Sequence, residues 1–378
     1  MKNILITGGA GFIGSSIAIK LIDKGYSVTV LDNLSKQIHG ESPNESYLFR
    51  KIKDKVTFIK GDITIGVDWE KALVGQEAVI HLAAETGTGQ SMYEIERYTN
   101  VNIGGTAIFL DILTNKKTNI EKVIVASSRA IYGEGKYFCE EHGAVYPDER
   151  KEQDMVNNDF ENKCPLCGGN VEHRPTDETS KIHPSSIYGI TKQVQEQMVL
   201  LSCKAIKIPV VAYRYQNVYG PGQSLKNPYT GILSIFSVNM INNQPINIFE
   251  DGKESRDFVY IDDVVNATIL GLEKEEANYN IFNVGSGKKI TIKQVVDILK
   301  THYNSDSDIK ITGNFRMGDI RHNYADISKI SKLLGFTPEF HFEKSIKLFT
   351  DWVKKERITD DIFYEKSLLE MQEKGLFK

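Results

Sequence analysis

Long apolar runs and basic runs are both missing from the sequence, and each absence excludes a class of protein. The longest apolar stretches, such as residues 4–6 and 123–126, have the length of a β-strand, whereas a membrane-spanning helix needs about 20 apolar residues. The formal net charge is −4 and the lysines and arginines form no long run, which is not typical of a nucleic-acid surface. We therefore expect neither a membrane nor a nucleic acid as a partner.

Cysteine is scarce, and a secretory pattern is missing at the amino terminus. Residues 1–3 lead directly into an apolar strand pattern, without the charged, apolar and small-residue succession of a signal peptide, so we expect a cytoplasmic chain. The four cysteines are Cys139, Cys164, Cys167 and Cys203. In the cytoplasm a Cys-x-x-Cys pair is more often a metal or redox site than a disulfide.

What is present is an alternation of strand and helix patterns. Apolar runs of strand length lie at residues 4–6, 28–31, 56–59, 78–82, 123–126 and 210–213. Helical patterns separate them, which predicts an α/β fold with a doubly wound parallel sheet of the Rossmann type. This alternation of strand and helix patterns is interrupted at about 134–181, which we interpret as a polar insertion. Residues 360–378 are predicted to form a polar helix with Leu368, Leu369 and Met371 on one side.

A glycine-rich turn follows the first predicted strand. Gly8, Gly11 and Gly14, with Phe12 and Ile13 between them, form a Gly-x-x-Gly-x-x-Gly series before an amphipathic stretch. Such glycines permit a tight turn, close approach of the backbone to a pyrophosphate, and close packing of helix on strand. The free N–H groups at the start of the helix then face the phosphates. The series predicts a dinucleotide site; the alternative is a glycine-rich turn that binds nothing.

Acidic residues follow two predicted strands near this turn. Asp32 ends the second strand, and Asn33 beside it is neutral, with no arginine next to the acid. A carboxylate there accepts hydrogen bonds from both ribose hydroxyls and repels a 2′-phosphate, which favours NAD over NADP. Asp62 and Ile63, after another strand, are a weaker signal for the adenine side of the cofactor. The alternative for Asp32 is a cap on the following turn.

A tyrosine and a lysine one helical turn apart are the candidates for proton chemistry. Tyr188 and Lys192 lie at i and i+4, on one face of a helix. A lysine cation near a phenol favours the phenolate, so we expect the pKa of Tyr188 to be lowered, and such a tyrosine can take or give a hydroxyl proton. Lys192 is also expected to reach the nicotinamide ribose. Ser128, at a strand end, can share the proton; the alternative is a serine that only satisfies backbone groups.

With these residues in place, the chain resembles the extended short-chain dehydrogenase/reductase family of nucleotide-sugar epimerases and dehydratases over nearly its whole length. Besides the glycine-rich turn and the tyrosine–lysine pair, the motifs that carry the resemblance lie at residues 31–34, 61–63, 81–84, 102–106, 127–133, 214–221, 255–258 and 316–319. We therefore place an NAD-binding Rossmann domain at 1–216, which includes the insertion. A smaller, mixed α/β lobe at 217–378 would mainly bind the nucleotide sugar, with part of it returning to the first domain.

The family's functional positions fall on residues of this chain that match its motifs. They imply a catalytic triad of Ser128, Tyr188 and Lys192. The cofactor would be lined in addition by Leu82, Ala83, Ala84 and Asn102. The substrate, a nucleotide-diphosphate sugar, would be bound by Thr86, Ser128, Arg129, Asn217, Phe249, Arg256, Arg316 and Asp319, with Asn217, Arg256 and Arg316 on the pyrophosphate and Asp319 on the ribose. Arginines suit bidentate phosphate contacts; the alternatives are surface salt bridges and, for Asn217, an ordinary turn.

Two details within the family narrow the expected activity. Sugar 4,6-dehydratases carry Asp-Glu just after the catalytic threonine, where this chain has Arg129 and Ala130, so dehydration is disfavoured. Residues 85–91 and 223–231 and the cysteine-bearing insertion are most similar to the dTDP-L-rhamnose 4-epimerase branch. We expect NAD-dependent 4-epimerisation through a 4-keto sugar. The alternatives are a UDP-sugar epimerase, a reductase or dehydrogenase with net redox turnover, and a cofactor-sensing scaffold, which the intact triad disfavours.

Two residue pairs in the insertion have the composition of a zinc site. Cys139 with His142, and Cys164 with Cys167, supply three thiolates and one imidazole, a full tetrahedral set for Zn²⁺. The insertion is too polar to bury a core of its own, so a structural metal would supply what hydrophobic burial does not. The alternative is reduced free cysteines with a surface histidine. Cys203 stands apart and is expected to be packed.

The family resemblance also implies a homodimer built from two helices of each protomer. The candidate interface residues are Ile108, Leu110, Ile112 and Leu113 on the helix after Asn102, and Val194, Met198 and Leu201 on the helix of Tyr188. In such a dimer the four helices pack about a two-fold axis. The alternative is that these side chains belong to the core of one chain.

Overall fold

The computed structural model of the chain describes residues 1–225, 227, 229, 231–356 and 363–378. Its strands are β1 (Asn3–Thr7), β2 (Ser27–Asp32), β3 (Thr57–Lys60), β4 (Ala78–His81), β5 (Lys122–Ser128), β6 (Tyr137–Cys139), β7 (Gly143–Val145), β8 (Glu172–His173), β9 (Val210–Tyr215), β10 (Asn217–Tyr219), β11 (Ile246–Ile248), β12 (Ser255–Arg256), β13 (Phe258–Tyr260), β14 (Asn280–Val284), β15 (Ile290–Thr291), β16 (Ile309–Ile311) and β17 (His322–Asn323). Its α-helices are α1 (Phe12–Asp23), α2 (Lys36–His39), α3 (Tyr47–Ile52), α4 (Gly66–Leu73), α5 (Thr88–Ser91), α6 (Ile95–Tyr98), α7 (Gly105–Asn115), α8 (Glu152–Val156), α9 (Ile187–Ala205), α10 (Ile232–Ile241), α11 (Ile261–Glu273), α12 (Ile292–Tyr303), α13 (Ser328–Leu334), α14 (Phe342–Val353) and α15 (Phe363–Glu373).

A seven-stranded parallel sheet forms the centre of the fold, in the order β14-β9-β5-β4-β1-β2-β3. Six of these strands are those predicted from the apolar runs, so the predicted doubly wound α/β fold is confirmed. The chain changes direction across the sheet between β1 and β4, and ligands bind at the carboxyl ends of the strands at such a point. The apolar pattern does not predict β14, because Asn280 and Asn283 interrupt its apolar residues.

Buried side chains point to both faces of this sheet, as a parallel sheet covered by helices requires. In β1, Ile4 and Ile6 belong to the core that includes residues of α1 and α11. Leu5, between them, belongs to the core that includes residues of α4, α7 and α9. Because all three side chains are fully buried, the strand has the continuous apolar sequence from which it was predicted.

The second half of the chain and the insertion build smaller sheets. β10 pairs with β13, β11 pairs with β16, and β12 lies between β15 and β17. The insertion at 134–181 forms an antiparallel sheet in the order β7-β6-β8 together with α8. β14 leaves this second half and pairs with β9 of the central sheet.

The helix at the end of the described chain, α15, is shorter than predicted, and residues 360–362 of the prediction lie outside the described residues. The prediction that Leu369 and Met371 share one side is wrong, since Met371 is buried and Leu369 is 60% exposed. Successive residues are about 100° apart around a helix axis, so Leu369 points away from the face that carries Met371. In the described part of the chain, no helix combines the length and apolar character needed to cross a membrane.

Candidate active site

A cavity of about 430 Å³ lies at the carboxyl ends of β1, β2, β4 and β5. It brings together nearly all of the predicted cofactor and triad residues. Those that line it are Gly8, Gly11, Phe12, Ile13, Gly14, Asp32, Asn33, Asp62, Ile63, Leu82, Ala83, Ala84, Ser128, Tyr188 and Lys192. Thr86, which was predicted to bind the substrate, lines it as well. One cavity therefore runs from the glycine-rich turn to the helix that carries the tyrosine and the lysine.

The glycine-rich turn is shaped by contacts that a side chain would block. Gly8 has a φ of +66°, and a Cβ there would lie 2.8 Å from the backbone nitrogen of Ala83. A Cβ at Gly14 would lie 2.3 Å from the carbonyl oxygen of Gly8. The first residues of α1, Phe12 and Ile13, line the cavity, so the free N–H groups of the helix start lie beside it. The turn is therefore a cradle for an anion such as a pyrophosphate.

Asp32 is buried at the end of β2. Its carboxylate accepts hydrogen bonds from the backbone N–H of Ala10 at 3.0 Å and of Leu34 at 2.8 Å. Burial raises its pKa, and these two hydrogen bonds oppose the rise. Asp32 therefore does cap the following turn, as the alternative interpretation expects. Its carboxylate still has lone pairs for further hydrogen bonds. Asn33 donates to Asp62 at 2.9 Å, which joins the two predicted acidic positions.

Ser128 and Tyr188 meet where β5 ends and α9 begins. The Ser128 side chain lowers the pKa of the Tyr188 phenol, and its hydroxyl accepts a hydrogen bond from the Ala130 N–H at 3.2 Å. Lys192, one turn further along α9, is buried and donates to the side-chain oxygen of Gln195 at 2.5 Å. The predicted triad is therefore assembled in one wall of the cavity.

The pKa of Tyr188 is raised, not lowered, so the prediction of a lysine-stabilised phenolate is wrong. Burial removes the hydration that a phenolate needs, and this outweighs the hydrogen bond from Ser128 and the charge of Arg129, which both lower the pKa. Burial also lowers the pKa of Lys192 to about 7, so its ammonium is only partly charged near neutral pH. The cation that acts on Tyr188 is Arg129, which spacing along a helix does not reveal.

Asn102 lies behind the cavity wall and not on it. It is fully buried in a π-helical turn, Thr99–Gly104, that precedes α7. Its side-chain oxygen accepts from the Glu85 N–H at 2.7 Å, and its side-chain nitrogen donates to the Glu85 carbonyl and to the Thr191 hydroxyl, both at 3.0 Å. The expectation that Asn102 lines the cofactor is thus corrected: it ties the loop after β4 to α9.

Arginines converge on the carboxylate of Asp319. Burial raises the pKa of this group, but Arg256, Arg316, Arg150 and Arg129 together hold it below its usual value. Arg256 donates to Asp319 at 3.2 Å. Several cations around one carboxylate form a positive region, which suits a diphosphate.

Two of the predicted pyrophosphate contacts are engaged with protein groups. Arg256 donates to the backbone carbonyls of Ile320 at 2.7 Å and of Arg321 at 3.0 Å, so it fixes the loop that carries Asp319. Asn217 accepts a hydrogen bond from Arg129 at 2.9 Å. These contacts show how the predicted substrate residues are held in place.

A second, smaller cavity joins the remaining predicted substrate residues to α9. Arg316 and Asp319 line it together with Ser186, which precedes α9, and with Gly89. The guanidinium of Arg316 lies 5.0 Å from the centre of the Phe249 ring. The predicted substrate residues therefore lie together beside the catalytic helix.

Several residues at the site carry no sequence signal of their own. Arg150, in the insertion, donates to the carbonyl oxygen of Asp319 at 2.9 Å and forms an ion pair with Glu250 at 2.8 Å. His39 and Gln216 line the main cavity. Gln223, Asn227 and Tyr229 also line this cavity. They belong to the stretch 223–231, and the similarity of that stretch to the family was the sequence signal that could have identified them. Residues 226, 228 and 230 of the stretch lie outside the described residues.

The four predicted metal ligands come together in the insertion. The ligand atoms of Cys139, His142, Cys164 and Cys167 all lie within 4.8 Å of one another. The sulfur of Cys139 is 3.6 Å from Nδ1 of His142 and 3.8 Å from the sulfur of Cys167, and the sulfur of Cys164 is 3.7 Å from Nδ1 of His142. The second pair shares a turn in which the Gly168 N–H donates to the Cys164 carbonyl at 2.8 Å.

The residues predicted for a dimer interface are divided between core and surface. Leu110, Ile112 and Leu113 are buried in the core of this chain, so their predicted place in an interface is wrong. On α9, Leu201 is 74% exposed and Ile190 is 43% exposed. The half-buried members are Ile108, Val194 and Met198. An apolar strip thus remains at the surface of α9.

Comparison with known proteins identifies chains that are related to this one. A model of the NAD dependent epimerase/dehydratase family matches residues 4–151 and 167–285, and the gap in the match falls within the insertion. The dTDP-L-rhamnose 4-epimerase of Burkholderia thailandensis is 37% identical over 361 residues, which cover 94% of this chain and 96% of that protein.

Solved structures share the fold at similar coverage. The UDP-glucose 4-epimerase of Thermotoga maritima with UDP-glucose is 32% identical, with a TM-score of 0.75, and the match covers 93% of this chain and 99% of that one. The UDP-glucuronic acid 4-epimerase of Bacillus cereus, in complex with UDP-glucuronic acid and NAD, is 25% identical, with a TM-score of 0.76 and the same coverage of both chains.

Proposed function

The chain belongs to the NAD-dependent epimerase/dehydratase family, and on that premise we propose that it is an NAD-dependent nucleotide-sugar 4-epimerase. The observation that carries the proposal is the single cavity that joins the glycine-rich turn to Ser128, Tyr188 and Lys192. The relatives described above, which are named 4-epimerases of dTDP- and UDP-sugars, support it.

NAD suits the first part of this cavity. Gly8 and Gly14 form a cradle that a Cβ would fill, and a pyrophosphate needs such close approach to the backbone. The buried carboxylate of Asp32 suits the two hydroxyls of the adenosine ribose and repels a 2′-phosphate. Toward the triad, the Ser127 hydroxyl is buried without a hydrogen-bond partner among the described residues, and a buried polar group of this kind favours a bound ligand.

Each of the site residues then has a distinct role in the proposed reaction. When bound, NAD would supply the acceptor and then the donor for the hydride at carbon 4 of the sugar. In its phenolate form Tyr188 takes the proton of the 4-hydroxyl group, and the phenol so formed later gives the proton back. Ser128, whose side chain lowers the pKa of Tyr188, would donate a hydrogen bond to the reacting oxygen. Arg316 and Arg129 bind the diphosphate, which keeps the substrate attached while the sugar turns.

The substrate that we propose is dTDP-L-rhamnose, converted to dTDP-6-deoxy-L-talose or a related sugar. The name of the Burkholderia relative supports it. The two stretches similar to that branch also meet at the cavity: Thr86 and Tyr229 line it, and a Cβ on Gly87 would lie 3.2 Å from that of Tyr229. The alternative is a UDP-sugar, which the Thermotoga structure with UDP-glucose favours.

A screen of nucleotide sugars tests this proposal. The purified protein is incubated with dTDP-L-rhamnose, UDP-glucose or UDP-glucuronic acid, and the configuration at carbon 4 is read by NMR. We expect isomerisation without net formation of NADH, with NAD retained through purification. Stoichiometric change in NADH with each turnover would contradict the proposal and favour a reductase or dehydrogenase.

The insertion is proposed to hold one structural Zn²⁺. A tetrahedral zinc with its usual bond lengths separates two sulfurs by about 3.8 Å and a sulfur and a nitrogen by about 3.6 Å, and the distances around Cys139 and His142 agree with these values. The apolar cluster around Cys139 and Cys164 contains only these two buried cysteines, Tyr137 and Val145, so metal binding would provide much of the stability of this part of the insertion. Four protein ligands leave no open position for catalysis.

The homodimer is proposed to form through the exposed apolar strip of α9. Leu201 and Ile190 lie on the surface of this helix, where burial by a second copy would remove them from water. Because the same helix carries Tyr188, a dimer built here would also restrain the catalytic wall. We propose a cytoplasmic location for this assembly.

A further inference from the structure

The last described residues of the chain add a short strand to the loop that carries Arg316. The Phe315 N–H donates to the Lys378 carbonyl at 2.8 Å, and the Lys378 N–H donates back to the Phe315 carbonyl at 3.0 Å. Arg316 and Phe377 are therefore opposite one another in an antiparallel bridge. The position of the Arg316 loop depends on this segment.

Phe377 and Arg316 both contact Phe249. The ring centroids of Phe377 and Phe249 are 5.0 Å apart at an angle of 47°, and the guanidinium carbon of Arg316 is 5.0 Å from the Phe249 centroid. Both rings are half-buried, so part of their surface stays accessible. Aromatic rings and a guanidinium plane are the surfaces on which a planar heterocycle stacks.

This aromatic corner includes Arg316, one of the two arginines proposed to bind the diphosphate. Arg316 and Asp319 line the smaller cavity with Ser186 at the start of α9. Met371 and Leu376, from the same terminal segment, line it as well. In a nucleotide sugar the diphosphate separates the base from the sugar. An aromatic surface beside an arginine that is proposed to bind the diphosphate therefore suits the base.

α15 fixes the terminal segment to the other side of the site. Tyr93 donates to Glu370 at 3.4 Å, and the ammonium of Lys374 lies 5.1 Å from the centre of the Tyr93 ring. Met371 is buried, and a Cβ on Gly89 would lie 3.3 Å from its sulfur. The segment therefore runs from α5 and Tyr93, which contact α15, to the Arg316 loop, which contacts Phe377.

We infer that Phe377 is a substrate-binding residue, which with Phe249 and Arg316 forms the wall that receives the nucleobase. The inference rests on the proposed function, because it assigns a further residue to the substrate of the same site. A ring in this position contacts the nucleoside diphosphate and not the reacting carbon. Phe377 should therefore control KM for the nucleotide sugar and leave kcat nearly unchanged.

The test compares three variants of the full chain in its NAD-retaining form. Phe377→Leu removes the ring but keeps an apolar side chain in the contact, and Phe377→Tyr keeps the ring. Leu369→Ala, at an exposed leucine of α15, is the matched control. Calorimetry gives Kd for dTDP and for UDP, and steady-state kinetics give KM and kcat for the sugar nucleotide that turns over.

We expect Phe377→Leu to weaken dTDP or UDP binding about tenfold, the loss typical of one base–aromatic stack, with KM raised by a similar factor. Phe377→Tyr and the control should bind like the wild type. Equal affinity in wild type and Phe377→Leu would overturn this inference alone, and tighter binding would do so too, since the ring would then occupy the place of the base. Failure of both nucleotides to bind the wild type would overturn the proposed function as well.

Discussion

Nε of Arg129 lies 2.9 Å from the side-chain oxygen of Asn217, and this hydrogen bond holds a cation beside the phenol of Tyr188. Burial lowers the pKa of Arg129 to about 10, which still leaves the guanidinium charged at neutral pH. Related 4,6-dehydratases resemble this chain at the same strand end but have an acid in place of Arg129. The residue that we expect to disfavour dehydration thus also lowers the pKa of the Tyr188 phenol.

Arg129→Gln should shift the pH profile of kcat/KM to higher pH. The rate rises with pH as the Tyr188 phenolate forms, and the charge of Arg129 lowers the pKa of that phenol. Removal of the charge raises this pKa further, so the same fraction of phenolate is reached at higher pH; a tenfold loss of phenolate at fixed pH corresponds to about 1.4 kcal/mol. Arg50→Gln, at an exposed residue of α3, is the control, and an unchanged profile in Arg129→Gln would count against the assignment.

Tyr188→Phe should lower kcat by about 10²- to 10⁴-fold, because only the hydroxyl that transfers the proton is lost. The fold and the NAD content should remain those of the wild type, since the ring and its packing are kept. The measurement is turnover by NMR together with release of nucleotide on denaturation. Turnover within about tenfold of the wild type would remove Tyr188 from the mechanism.

Protein purified without a metal-affinity step should contain about one zinc per chain. The double variant Cys164→Ser/Cys167→Ser removes two thiolates and should lose the metal, and its insertion should become sensitive to proteolysis. Cys203→Ala is the matched control, because Cys203 is buried in the core outside the metal cluster. Elemental analysis that finds no metal in a wild-type protein whose insertion resists proteolysis would contradict the zinc proposal.

Light scattering at micromolar concentration should give the mass of a homodimer. Leu201→Glu places a charge in the exposed strip of α9 and should shift the protein to the monomer, because burial of an unpaired carboxylate is unfavourable. Leu348→Glu, at an exposed leucine of α14, should leave the dimer intact. A monomeric wild type would refute the predicted assembly, and a dimeric Leu201→Glu variant would refute its location.

The central sheet was predictable from sequence where burial on both faces produces a continuous apolar run. Residues 3–7 illustrate this, because Ile4, Leu5 and Ile6 enter two cores from adjacent positions. β14 was not predictable in that way, since its asparagines break the run while its neighbour β9 supplies the pairing. Pairing with a strand far away in sequence leaves no local pattern.

The residues of the candidate site also differ in whether a local sequence pattern predicts them. Gly8, Asp32 and Tyr188 were found because turn geometry, strand ends and helical spacing are local properties. Arg150 was missed because a polar insertion gives no sign that one of its arginines bonds the carbonyl of Asp319. The direction of the Tyr188 pKa shift was also wrong, because burial depends on tertiary packing and is not encoded in the spacing to a lysine.

The return of β14 to the central sheet has a consequence for any shortened version of the chain. β9 pairs with β5 on one side and with β14 on the other. A fragment that ends at residue 216 would leave one side of β9 with unpaired backbone groups, and an exposed strand of this kind associates with other chains. We therefore expect that the proposed NAD-binding domain at 1–216 is not stable by itself and that this fragment aggregates when it is expressed alone.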